Sequence, residues 1–332
     1  MKERDNTILV VGGAGYIGSH MVKLLRSSGL VPVVADDLGG GRREAVQGAQ
    51  LHVGDIGDAA FVDALLREVR PVAVMHFASY IQVGESVIAP AKYYRNNVTA
   101  TQVLLDGMRA HGIARFIFSS TAAIFGDPRY VPIDEAHPKT PINPYGRSKW
   151  MVEQMLEDYD RAYGLKSVCL RYFNAAGADP EGELGECHDP ETHLIPLLLQ
   201  VASGRRAHIT VNGDDYPTPD GTCVRDYIHV EDLCSAHLLA LRQLLEGSGS
   251  ARYNLGNGNG FSIREVIAAV ERVAGRDVPV VAGPRREGDP PVLVADARQA
   301  RECLGWTPRF AELDTIVAHA WAWECRHAEW SR

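Results

Sequence analysis

The sequence predicts an α/β chain: a doubly wound parallel sheet followed by a smaller α/β part. Two observations carry this reading. Short apolar runs alternate with longer amphipathic stretches through the first half, and a glycine-rich turn joins the first run to a helical pattern. The runs at residues 7–11, 31–35, 51–53, 72–77, 115–119 and 167–170 read as strands. Runs fed by intervening helices form a parallel sheet covered on both faces, with right-handed crossovers. Residues 1–175 are therefore expected to form a doubly wound domain, and residues 176–332 a second part.

Composition shifts near Asn174, and residues 175–190 are rich in Gly, Ala, Pro and acidic residues without a sustained period, which reads as a loop. Beyond it the pattern predicts helices over 192–202, 231–245 and 263–274, strands over 208–211 and 252–255, and a last helix from Leu313. These strands are too few for an independent barrel. The second part is expected to pack on the first and make one wall of a cleft.

The 332 residues are 45% hydrophobic and 23% charged, an ordinary globular balance that excludes coiled-coil and collagen-like chains. A net charge of −8 with no long basic block leaves no nucleic-acid footprint, so an anionic ligand needs local arginines. No apolar run approaches the roughly 20 residues of a membrane span. Met1 to Asn6 is polar and charged, and the apolar run after it is too short for a signal peptide. Six cysteines scattered without a CxxC pair favour reduced thiols, so a cytoplasmic protein is expected. His188 and His193 lack HExxH spacing, and no metal is expected.

After the first apolar run comes Gly12-Gly13-Ala14-Gly15-Tyr16-Ile17-Gly18, leading into a helical stretch. Gly12, Gly15 and Gly18 allow a sharp turn and close approach of a pyrophosphate to the helix N-terminus. Asp36, 24 residues after Gly12, ends the second run, where a carboxylate accepts the hydroxyls of an adenosine ribose and repels a 2′-phosphate. The pattern points to a Rossmann-type sheet that binds a dinucleotide, with Asp36 favouring NAD and the nearby Arg42 and Arg43 leaving NADP as the alternative.

Asn143-Pro144 opens a long helical stretch, with Asn143 as N-cap and Pro144 at the first helical position. Tyr145 and Lys149 are then i and i+4, on one face. An ammonium about 4 Å from a phenol favours the phenolate by about 4 kcal/mol, or roughly three pKa units, at an effective dielectric near 20. Tyr145 is thus expected to act as a general base poised by Lys149, with Thr121, at the end of the fifth run, bonding the same substrate hydroxyl.

Together these residues resemble the extended short-chain dehydrogenase/reductase family. Further matching stretches are His76-Phe77-Ala78, Val83-Gly84-Glu85-Ser86, Asn96-Asn97, Arg171-Tyr172-Phe173-Asn174, Asp220-Gly221-Thr222, Val224-Arg225-Asp226-Tyr227-Ile228-His229 and Arg285-Arg286-Glu287-Gly288-Asp289, several of them specific to nucleotide-sugar epimerases. The resemblance implies that Tyr16, Ile17, Asp55, Ile56, Phe77, Ala78, Asn96, Lys149 and Tyr172 join the glycine loop and Asp36 in holding NAD. It implies that Asn174, His193, Leu194, Asn212, Arg225, Arg286, Asp289 and Leu293 join Thr121 and Tyr145 in holding a UDP-hexose, with the two arginines on its diphosphate and Asp289 at the ribose. The implied reaction is 4-epimerisation between UDP-galactose and UDP-glucose through a transient 4-keto sugar. A homodimer paired through residues 97–111 and 144–163 is also implied.

Alternatives are an epimerase for UDP-N-acetylhexosamines or UDP-pentoses, a nucleotide-sugar dehydratase and a non-catalytic NAD-binding regulatory module. Dehydratases carry an Asp-Glu pair after the active-site threonine, but here Ala122 and Ala123 follow Thr121. Regulatory relatives commonly lose the tyrosine or lysine, and both are present. Asn212 stands where the family usually has an aromatic residue that stacks on uracil, which is expected to weaken nucleotide binding; base stacking is worth about 1–3 kcal/mol in nucleic-acid complexes. Leu293 is intermediate between the bulky and small residues that exclude or admit an N-acetyl group, Ile81 replaces a lysine and His193 an asparagine.

Overall fold

The structure, a computed structural model, describes residues 6–286 and 289–330. The N-terminal residues 1–5 and the Glu287-Gly288 pair named above lie outside it.

The first half forms β1 (Thr7–Val11), α1 (Tyr16–Ser27), β2 (Val31–Asp36), β3 (Gln50–Val53), α2 (Ala59–Val69) and β4 (Ala73–His76). Short helices α3 (Val83–Ile88) and α4 (Pro90–Tyr93) lead through a π-helix, Tyr94–Ala100, into α5 (Thr101–Ala110). Then come β5 (Arg115–Thr121), α6 (Pro144–Tyr163) and β6 (Lys166–Tyr172). The second half holds β7 (Asn174–Ala176), α7 (Leu194–Ala202), β8 (Ile209–Asn212), β9 (Val224–His229), α8 (Val230–Leu245), β10 (Ala251–Leu255), β11 (Gly260–Ser262), α9 (Ile263–Ala274), β12 (Val280–Gly283), β13 (Val292–Leu293), α10 (Arg298–Leu304) and α11 (Leu313–Trp330).

The six expected strands pair in parallel in the order β3-β2-β1-β4-β5-β6, and a seventh, β10, extends the edge beside β6. The sheet is therefore not confined to residues 1–175. The chain returns to it through α8 and β10, because the apolar face of α8 packs with α1 and β6 in the same buried cluster. On the opposite face α2, α5 and α6 cover a second cluster that includes Phe116, Phe118, Leu104 and Val152. A third core, built from α7, α9 and α11, fills the remaining part. Residues 175 and 176, at the start of the loop expected over 175–190, instead belong to a strand, since β7 pairs with β9. Among the described residues, no helix is long and apolar enough to cross a membrane.

Strand order reverses between β1 and β4, where Val11 stands opposite His76. In such sheets the crevice beyond the strands' carboxyl ends at this reversal receives the ligand.

Candidate active site

Gly12 leaves β1 with φ +79°, and a Cβ there would lie 2.4 Å from the Ala78 nitrogen. A Cβ on Gly18 would meet the Gly12 oxygen at 2.1 Å. The fold itself therefore demands both glycines. Gly15 differs: its Cβ would meet only the Gly12 oxygen, at an ordinary 3.5 Å. It is the N-cap of α1 with no side chain capping the exposed amides, an arrangement that fits an anionic pyrophosphate. Asp36 closes the turn, accepting from the Ala14 amide at 2.9 Å and the Leu38 amide at 2.8 Å. Burial raises its pKa while those bonds oppose the rise. A carboxylate has about four acceptor positions, so two remain for ribose hydroxyls.

Phe77 is tied by its amide to Val11 (2.7 Å), and its ring lies 5.0 Å from that of His237. Tyr16 donates to the Gly177 carbonyl at 2.7 Å. Ile17 packs against the core, and Ile56 is buried behind the β3 edge. Asp55, exposed there, caps its own turn at Gly57 (2.7 Å).

Tyr145 opens α6, capped by Asn143, whose Oδ1 accepts from the Gly146 amide at 2.8 Å. A Cβ on Gly146 would lie 2.4 Å from the Ala123 carbonyl. That close approach seats the first turn of α6 against the end of β5, where the Thr121 side chain lowers the Tyr145 pKa. Tyr172 stands opposite Thr121 on β6, and burial pushes its phenol well above the usual range.

The expected lysine–phenolate pair is not what the free chain holds. Buried to 2% exposure, Lys149 donates to the Ser79 hydroxyl at 2.6 Å and the Ser119 carbonyl at 2.9 Å. Burial lowers its pKa to about 7. Burial also raises the Tyr145 pKa, opposed only by the Thr121 side chain. Sharing a helical face is not enough: the ammonium turns to the strand ends, and removal of water disfavours charge on both groups.

Several supporting residues escaped the sequence reading. Ser79 follows an expected cofactor pair, yet its bond to Lys149 joins segments 70 residues apart. Asn96 donates to Asn97 Oδ1, and Asn97 in turn holds both the Tyr80 backbone and the Ser148 hydroxyl, latching the π-helix to α6. π-Helical turns are frequent at functional sites. Beneath Thr121, Ser120 donates to Glu153 at 2.6 Å, and Glu153 forms a buried pair with Arg171 at 2.6 Å.

On the opposite wall Arg225 pairs with Asp289 and donates to the Val224 carbonyl at 2.7 Å. The two residues expected to meet diphosphate and ribose thus hold one another in the free chain. Asn212, with its amide oriented by its partners, accepts from Arg286 Nε and Nη2 at 3.1 and 3.2 Å. Leu293 stands beside Arg225 in register and packs toward Phe125 and Ile133. Asn174 donates to the Asp226 carbonyl at 2.9 Å. Leu194 starts α7 against the third core. His193, the N-cap of α7, is bonded to Glu186 at 2.5 Å. Glu186, His188, Glu191 and His193 converge here, a grouping that the HExxH test did not reveal.

A dinucleotide cradle facing a half-buried tyrosine and a buried threonine and lysine is the arrangement of a nicotinamide-dependent enzyme that acts on a hydroxyl carbon. The chain belongs to the NAD dependent epimerase/dehydratase family, whose model matches residues 8–256. It is similar to the UDP-glucose 4-epimerase of Rhizobium leguminosarum bv. trifolii, with 52% identity over 320 residues, 96% of this chain and 98% of that one. Among solved structures it is similar to UDP-glucose 4-epimerase from Brucella ovis in complex with NAD, at 53% identity and TM-score 0.93, covering 95% of this chain and 97% of that one. It is also similar to the enzyme from Stenotrophomonas maltophila with bound NAD and formylated UDP-arabinopyranose, at 39% identity and TM-score 0.94, covering 97% and 99%.

Proposed function

We propose that this chain is an NAD-dependent 4-epimerase that interconverts UDP-galactose and UDP-glucose through a transient 4-keto sugar. The single observation that carries the reading is the seating of the first turn of α6, with Tyr145, against the end of β5, with Thr121, beside the glycine-turn crevice. When bound, NAD supplies a hydride acceptor and donor and a positive ring charge that favours the Tyr145 phenolate. Gly12, Gly15, Gly18 and Asp36 hold the cofactor, with Tyr16, Ile17, Asp55, Ile56, Phe77, Ala78, Asn96 and Tyr172 lining it. Tyr145 takes the proton of the sugar 4-hydroxyl, directly or through Thr121, as the C4 hydride is lost, and returns it to the same oxygen once the turned-over keto sugar regains that hydride on its other face. Lys149, held by Ser79 and the Ser119 carbonyl, orients the cofactor ribose.

The second half of the chain carries the nucleotide side of the substrate: Arg225 and Arg286 on the diphosphate, Asp289 on the ribose, and Asn174 and Leu293 about the sugar. Anchoring through the diphosphate leaves the hexose free to turn over. Ala122 and Ala123 form the turn after Thr121, so no acid is available there for a dehydratase elimination. We also propose a homodimer through α5 and α6, supported by exposed Val83, Val87, Ile88 and Met151 beside that face. Free thiols at Cys169, Cys223, Cys234 and Cys303 support a reducing, cytoplasmic setting.

The reading is tested by incubating the purified chain with UDP-galactose and no added NAD, then separating the nucleotide sugars by anion exchange. Appearance of UDP-glucose is the expected result. Its absence even after NAD is added would overturn the assignment.

A further inference from the structure

We propose that Glu186, His188, Glu191 and His193 form a site for one divalent transition-metal ion, with zinc the best-fitting occupant. One ligand atom from each side chain lies within 4.8 Å of all the others. His188 Nδ1 stands 3.1 Å from Glu186 Oε1 and 3.8 Å from Glu191 Oε2. His193 Nδ1 stands 2.5 Å from the same Glu186 oxygen and 3.6 Å from Glu191 Oε1. Zinc bonds of about 2.0–2.2 Å to nitrogen and oxygen put tetrahedral neighbours roughly 3.3–3.6 Å apart. The observed separations bracket that spacing, so small side-chain shifts complete the shell.

Three further features distinguish this cluster from a chance meeting of polar residues. His188 Nδ1 is buried with no hydrogen-bond partner, yet it faces the two carboxylates. Both histidines turn the same nitrogen inward, with ring centroids 5.4 Å apart at 64°, as two ligands of one ion do. Glu186 and Glu191 have side chains only 5% and 6% exposed, and two buried carboxylates this close carry a charge that either protonated imidazoles or a bound cation must balance. Two glutamates and two neutral imidazoles sum to −2, which a divalent ion neutralises. Mixed imidazole and carboxylate donors favour zinc over magnesium or calcium, which prefer oxygen shells.

Four protein ligands make this the closed, structural kind of site. The surrounding bonds indicate what it would hold. Trp323 Nε1 donates to the Glu186 carbonyl at 3.0 Å, and the Thr192 and His193 amides donate to Glu191 Oε1 at 2.7 and 2.9 Å. The Tyr16 ring meets His188 edge-on at 6.5 Å, and its hydroxyl bonds Gly177. A bound ion would therefore pin residues 177–193 to the start of α7 and to the glycine turn. It is a positioning element, and its existence does not depend on which sugar the enzyme takes.

The test is metal analysis of the intact protein purified without chelator, followed by stripping and titration with cobalt(II). About one zinc per chain is expected, together with the intense visible bands of tetrahedral cobalt after replacement. Stripping should lower the melting temperature, and added zinc should restore it. His188→Ala and Glu191→Gln should each weaken cobalt binding by well over ~10-fold, the loss seen even for outer-shell partners. If stripped wild-type protein with a native circular dichroism spectrum shows no saturable binding of cobalt or zinc, the proposal is wrong; the cluster then balances its charge with protons. Undiminished binding in folded His188→Ala would equally overturn it. Should that variant fail to fold, the wild-type cobalt titration decides alone.

Discussion

The Lys149 ammonium donates to the Ser79 hydroxyl at 2.6 Å, joining α6 to the segment that follows β4. This bond, with the one to the Ser119 carbonyl, keeps the lysine over the crevice while burial lowers its pKa to about 7. In the unfolded chain a lysine titrates near 10.4. Between about pH 7 and pH 10 the unfolded state therefore binds the extra proton at this site, so the Lys149 contribution to the stability of the cofactor-free protein rises with pH, while His188, raised to about 10, contributes in the opposite sense. Urea denaturation at pH 7 and pH 9 should therefore show wild type gaining stability relative to Lys149→Met as pH rises. An unchanged difference between the two proteins would assign the effect to other groups.

Glu153 and Arg171 are buried to 0% and 1% side-chain exposure, and Glu153 also receives the Ser120 hydroxyl directly beneath Thr121. Removing one partner leaves an unpaired buried charge, which costs about 3–5 kcal/mol. Glu153→Ala should lose that much in urea denaturation. A loss below about 1 kcal/mol would show that water or a shifted side chain replaces the carboxylate.

Asn212 holds the Arg286 guanidinium by two hydrogen bonds. Asn212→Ala releases an otherwise exposed arginine. Hydrogen bonds to charged groups contribute about 1.5–3 kcal/mol when buried. For this exposed site the expected change is a rise in KM for the UDP-sugar of roughly 5–10-fold with kcat held, because no reacting group moves. A fall in kcat at unchanged KM would place Asn212 elsewhere in the mechanism.

Gly12 and Gly15 look alike in sequence and differ in structure. Gly12→Ala puts a Cβ 2.4 Å from the Ala78 nitrogen at φ +79°, so it should not yield stable protein. Gly15→Ala meets nothing closer than 3.5 Å and should fold with stability within about 1 kcal/mol of wild type. It should nonetheless retain less NAD, measured in the supernatant after denaturation. Full retention would show that the cofactor does not approach Gly15.

The parallel sheet was legible because six buried strands leave apolar runs between amphipathic helices, and the Thr7–Val11 strand and Ile263–Ala274 helix match their predicted limits. What the pattern missed depends on tertiary pairing. The Asn174–Ala176 and Val292–Leu293 strands are too short to show alternation and exist through their pairing with Val224–His229. The Ala251–Leu255 strand was visible, but its place beside β6 was not, since periodicity carries no information on partner. At the site, residue types identified Tyr145, Thr121 and Lys149, and the i, i+4 spacing put Tyr145 and Lys149 on one helical face. The direction of the lysine was decided by Ser79, distant in sequence. The His–Glu cluster was hidden for a related reason: its members are spaced for a loop, so no helical period announces them.

The central claim is that hydrogen leaves C4 of the sugar and returns to the same carbon while Tyr145 handles only the hydroxyl proton. The most direct measurement is conversion of UDP-galactose deuterated at C4, with the label followed by NMR. The account predicts UDP-glucose that keeps its deuterium at C4, and a kcat about 10²–10⁴-fold lower in Tyr145→Phe with the label still retained in what product forms. Loss of the deuterium to solvent, in either protein, would contradict it.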